Sequence, residues 1–68
     1  MITHQEFMTI LRVERARRDM KVSEFLRLIS VSQGTYSTWK WRIRHGKGGP
    51  KPLTMEAVLA RLKQGETP

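Results

Sequence analysis

Apolar residues recur along this chain at helical spacing in four separate stretches. Phe7, Ile10, Leu11 and Val13 fall on one broad face of a first segment, and Val22, Phe25, Leu26 and Ile29 follow the i, i+3, i+4, i+7 pattern in a second. Tyr36, Trp39 and Ile43 mark a third segment, and Met55, Val58, Leu59 and Leu62 a fourth. No stretch shows the period-two alternation of a half-buried strand. The pattern predicts a small all-α, four-helix domain, with helices over about 4–19, 22–29, 33–45 and 55–64.

Polar residues at the ends of these stretches sharpen the boundaries. Thr3 and Glu6 have the spacing of a capping box, in which side chain and backbone satisfy one another reciprocally at a helix start. Ser32 is an N-cap by type for the third helix, and Thr54 for the fourth, with Leu53 and Val58 expected to close over it as a hydrophobic staple. On the first helix, Glu14 with Arg18 or Arg15 with Asp19 can pair at i, i+4. The segment 46–52, with three glycines and two prolines, reads as a basic loop, and Gly65 as a helix stop. The domain is therefore expected to span 1–65, with 66–68 as a frayed tail.

Composition narrows the chemistry. A chain of 68 residues has only a small core to draw on, burying about 60% of the surface its unfolded form exposes. With no cysteine and two distant histidines, His4 and His45, no metal site or cofactor is expected. No apolar run is long enough for a membrane span, and the N-terminus lacks the features of an export signal, so a cytoplasmic protein that avoids membranes is expected. Thirteen Lys and Arg against six Asp and Glu give a net charge of +7. Glu24 and Glu56 have no acidic residue between them, and that window holds Arg27, Lys40, Arg42, Arg44, Lys47 and Lys51. The asymmetry points toward a polyanionic partner, but a basic run is also what a solvated face gives, and charge alone does not choose between them. Neither a nucleophile with its base nor a carboxylate pair in a pocket is evident, and 46–49 lacks the motif of a phosphate loop; the chain is not read as an enzyme.

The second and third stretches are separated by Ser30, Val31 and Ser32, which places one small apolar residue between two short helices, as a helix-turn-helix requires. The third helix carries small or polar residues near its start and aromatic residues on its rear face. Over Val22 to Trp39, and above all in Ile29-Ser30-Val31-Ser32-Gln33-Gly34-Thr35-Tyr36-Ser37-Thr38-Trp39, the sequence resembles the phage repressor and Cro type of helix-turn-helix, whose consensus is approximately Leu-Gly-Val-Ser-x-Ser-Thr-Ile-Ser-x-Trp. Three positions depart from that pattern. Leu26 stands at a usual alanine, and Ser30 at the usual turn glycine, so the turn either holds serine at positive φ or adjusts around it. Lys40 stands where glutamate often pairs with a helix 1 arginine, which makes Glu14 a candidate partner of opposite polarity.

The resemblance implies a sequence-specific regulator that binds double-stranded DNA, a repressor on an operator of two half-sites, in a bacterial or phage-infected cell. The small autoregulators encoded beside anti-CRISPR genes belong to the same broad class. It implies that Gln33, Gly34, Ser37 and Thr38 face base edges. The residue types agree: a Gln amide can pair bidentately with adenine, and Thr38 offers a methyl group to thymine. Ser32, Lys40, Arg42, Arg44, Lys47 and Lys51 are expected at phosphates, as is Trp41, which is exposed if Trp39 is core and which alternatively packs in a subunit interface. The helix 1 arginines are either a second backbone contact or a solvated face. One short helix reads few base pairs, so a homodimer is expected, through Met55, Leu59 and Leu62 of helix 4 or through the loop and Trp41. No small-molecule effector is expected. The competing roles are an adaptor or antitoxin-like protein binding an acidic partner, and a non-specific architectural DNA binder.

Overall fold

The computed structural model describes residues 2–66, which form four helices: α1 (His4–Arg17), α2 (Val22–Leu28), α3 (Gln33–Arg44) and α4 (Pro52–Glu66). Among the described residues there is no strand.

The capping box forms as its spacing predicts: Thr3 Oγ1 accepts from the Glu6 N–H at 3.0 Å, and Glu6 Oε1 accepts from the Thr3 N–H at 2.8 Å. These bonds hold the Glu6 carboxyl below its ordinary pKa, the backbone bond from Thr3 being the main cause and its side-chain bond the second. Ser32 caps α3 by accepting from the Thr35 N–H at 3.1 Å.

Helices α1, α2 and α3 all end in the same way. Asp19, Ser30 and Gly46 adopt φ of 52°, 56° and 66°, each just past a helix end. In each case the left-handed residue and its successor donate back to the last turn: Asp19 N to Ala16 O and Met20 N to Arg15 O, Ser30 N to Arg27 O and Val31 N to Leu26 O, Gly46 N to Ile43 O and Lys47 N to Arg42 O. This is the Schellman arrangement, which satisfies helix-end carbonyls. It stops α1 at Arg17, two residues before the expected end, and turns Asp19 into a terminator instead of a partner for Arg15. Arg15 Nη1 donates instead to the Met20 carbonyl at 3.3 Å. Of the two alternatives for the turn after α2, the one realised is serine at positive φ.

The start of α4 differs from expectation. Lys51 occupies the N-cap and its carbonyl accepts from Met55 N at 3.0 Å, so Pro52 is the first helical residue. Proline suits that position, because its fixed φ is already helical and the N–H it lacks would have had no intrahelical acceptor. Thr54 is thus inside the helix, and Leu53, at 79% exposure, forms no staple with buried Val58. The positions flanking the real N-cap in the same way are Pro50 and Met55, both buried. Nor does Gly65 stop α4, which runs through Glu66; Thr67 and Pro68 of the expected tail lie outside the described residues.

The core is built from Phe7 and Leu11 of α1, Phe25, Leu26 and Ile29 from α2 and its cap, Trp39 of α3, and Met55, Val58 and Leu62 of α4. Met55 and Leu62 are consumed inside the domain, and Leu59 is half-buried against the same core, so this set does not form a free dimer face. Val13 and Val22, counted with the apolar stripes by their spacing, are 55% and 38% exposed. Val31, in the turn between α2 and α3, packs against the core. Leu26 is accommodated at 3% exposure.

Three side chains tie distant segments together through backbone carbonyls. Arg61 of α4 donates to Ile29 O at 3.0 Å, holding the end of α2 beside α4. Arg18 donates to Leu62 O at 3.1 Å, and His4 Nε2 to Pro50 O at 2.9 Å. With so small a core, bonds that occupy helix-end and loop carbonyls add to apolar contact in fixing the relative placement of elements.

Candidate nucleic-acid interface

Helix α3 contributes one buried residue, Trp39, whose ring meets Phe7 edge-on at 5.8 Å between centroids and 69° between planes. The other residues of α3 are half-buried or exposed, so most of its circumference is available. Tyr36 and Ile43 flank Trp39 and are half-buried, in line with their assignment to the rear face.

The exposed side of α3 resolves into three lines. Gln33, Ser37, Lys40 and Arg44 follow one another at the helical repeat along the flank nearest α1. About 100° further round lie Gly34, Thr38, Trp41 and His45, opposite the core. Beyond these come Thr35, which faces α4, and Arg42, which faces the basic loop. The residues expected at base edges are thus divided: Gln33 and Ser37 belong to the first line, Gly34 and Thr38 to the second.

The first line forms one wall of a groove of about 490 Å³, and α1 forms the other with Arg12 and Arg15. Lys40 and Arg44 therefore share this groove with two α1 arginines and with the Gln33 and Ser37 side chains. Among the described residues, no carboxylate lines it. Lys40 does not pair with Glu14; its Nζ lies over the Tyr36 ring, 5.2 Å from the centroid. Glu14 instead takes Arg17 in a bidentate pair at 2.8 and 2.9 Å, together with Arg18 at 3.4 Å. Helix α1 thus separates its cations, the carboxylate engaging Arg17 and Arg18 while Arg12 and Arg15 turn to the groove.

The second line ends in an aromatic pair. Trp41, 55% exposed, stacks on His45 with 4.3 Å between ring centroids and 22° between planes, and His45 Nδ1 donates to the Trp41 carbonyl at 2.8 Å. Thr38 Oγ1 donates to the Gly34 carbonyl at 2.9 Å, so its only hydroxyl proton is committed within the helix. A β-carbon at Gly34 would meet nothing within 4 Å, so close packing inside the domain does not require that glycine.

On the third flank, Arg42 Nη2 donates to Lys47 O at 3.1 Å and ties the end of α3 to the basic loop, where Lys47 and Lys51 are exposed. Ser32 is drawn into capping: besides accepting from Thr35 N, its hydroxyl donates to Thr35 Oγ1 at 2.8 Å, which leaves it no proton for an external anion.

Spacing along the sequence does not single out Arg12 and Arg15 from the other helix 1 arginines. The signal is their i, i+3 placement on the α1 flank beside α3, and it becomes readable only once the packing of those two helices is known. Among the described residues, no group of three or more His, Cys, Asp or Glu side chains could hold a metal, and no helix is long and apolar enough to cross a membrane. Compared with family models, curated proteins and solved structures, the chain finds no match.

Proposed function

We propose that this protein is a sequence-specific DNA-binding transcriptional regulator, a repressor in the manner of the phage repressor and Cro type that residues 22–39 resemble, and that α3 is its recognition helix. The observation that carries the reading is the α1–α3 groove, whose lining brings Gln33 and Ser37 together with Arg12, Arg15, Lys40 and Arg44 and, among the described residues, holds no carboxylate. A Gln amide suits an adenine edge, and the cations suit the phosphates beside it.

Arg42, Lys47 and Lys51 supply a second set of cations beyond the outward line of α3. A helix in the major groove has a phosphate strand on either side, so two separated sets of cations with a polar and aromatic face between them match that geometry. The reach of one helix is short, and the proposal includes a homodimer on two half-sites about 10 bp apart.

The test is selection of duplexes from a random pool by the full chain, followed by fluorescence-anisotropy titrations of the selected duplex over a range of salt. The proposal expects a palindromic consensus and an affinity that falls steeply with salt, by about 0.9 in log–log slope for each phosphate neutralised. No enrichment, or affinity indifferent to sequence, refutes it.

A further inference from the structure

We infer that the outward line of α3 reads thymine, with the Thr38 methyl group and the open ring of Trp41 receiving thymine C5-methyl groups; this rests on the duplex-DNA reading above. Base edges in the major groove offer hydrogen-bond donors and acceptors, and thymine alone among the four bases adds an apolar methyl. A side chain that reads the acceptors on those edges, the N7 and O6 of guanine or the O4 of thymine, needs a free donor. Thr38 has spent its donor on Gly34 O, leaving a methyl group and a lone pair to offer outward.

One helical turn further along the same line stands Trp41. The His45 imidazole stacked on it and the His45 Nδ1 bond to the Trp41 carbonyl brace the indole against the helix. One face of the indole is covered in this way, and the residue stays 55% exposed, a large apolar surface held outward on a strongly cationic molecule. Gly34, at the start of the line, adds no side chain that would hold bases away. Gln33 and Ser37 on the adjacent line keep the polar edges. Division of labour follows: one line for donors and acceptors, the next for methyl groups.

The test replaces each thymine of the selected duplex, one at a time, by deoxyuridine, which removes only the methyl. Binding of the full chain is measured at constant salt. Loss of a buried methyl corresponds to about a fourfold weaker affinity. The expected result is such a loss at one or more thymines, abolished at one of them in Thr38→Ser, which keeps the hydroxyl and removes the methyl. Trp41→Ala abolishes the loss at a neighbouring thymine; Trp41 is exposed, and circular dichroism checks that both variants stay folded. A consensus without thymine, uridine tolerated everywhere, or an undiminished uridine effect in both variants overturns the inference and leaves the duplex reading standing. Failure to enrich any duplex overturns both.

Discussion

His4, the first residue of α1, donates through Nε2 to the carbonyl oxygen of Pro50 at 2.9 Å, joining the start of the chain to the end of the basic loop. Gly49 makes this approach possible, since a β-carbon there would lie 3.0 Å from the His4 ring and 3.1 Å from Ile43 Cγ1. Gly49→Ala is expected to displace the His4 ring by a few tenths of an ångström, weaken its bond to Pro50 and lower stability, measured by urea unfolding. His4→Ala is expected to cost about 1 kcal/mol and to speed hydrogen exchange at loop amides. Unchanged stability in Gly49→Ala together with unchanged loop exchange in His4→Ala would mean that the loop is not held against α1.

Ser30 holds a left-handed conformation that costs a non-glycine residue about 1–2 kcal/mol. Ser30→Gly relieves that strain but frees the unfolded chain, so a net gain of about 0.5–1 kcal/mol is expected. Ser30→Val, with a β-branched side chain at positive φ, is expected to destabilise. Unfolding midpoints of the two variants should move in opposite directions, and a common direction would contradict the assigned turn.

The capping box sets an acid response. The Glu6 carboxyl titrates below its ordinary value of 4.5 in the folded state, so its contribution is present above 4.5 and is lost as pH falls through the lower folded value. Stability measured along the acid limb should therefore fall more steeply in the native protein than in Glu6→Gln. Thr3→Ala removes the cap itself and is expected to cost about 1 kcal/mol near neutral pH.

Arg12 and Arg15 separate the groove from the rest of α1. If both lie at phosphates, Arg15→Ala or Arg12→Ala should each reduce the salt dependence of duplex binding by about one unit of log–log slope while leaving the order of preferred sequences unchanged. Arg17→Ala, whose guanidinium engages Glu14, should leave that slope intact. Equal effects at all three positions would make α1 a diffuse cationic surface.

Local signals account for most of the fold that the sequence predicts. Apolar spacing and hydroxyl caps act within one or two turns, and the starts of α1 and α3 follow from Thr3 and Ser32 directly. Helix ends are harder, because Asp19 and Ser30 terminate helices in a conformation usually left to glycine. At α4, Thr54 has the right chemistry for a cap, but Pro52 two residues earlier is already committed to helical φ. The contacts of Arg61 with Ile29 and of Arg18 with Leu62 have no sequence signature, since each joins a long side chain to a remote carbonyl. For the candidate site, residue type and helical position locate Gln33, Ser37 and Lys40. Their company with Arg12 and Arg15 depends on how α1 packs on α3.

The central claim is that α3 reads bases through Gln33 while the surrounding cations supply affinity without regard to sequence. It is tested most directly by the affinity of Gln33→Ala for the selected duplex and for a scrambled duplex at the same salt. The account predicts that binding to the selected duplex weakens about 5- to 150-fold, the worth of one bidentate base contact, while binding to the scrambled duplex is unchanged. Equal affinities before and after the substitution, or equal losses on both duplexes, would contradict it.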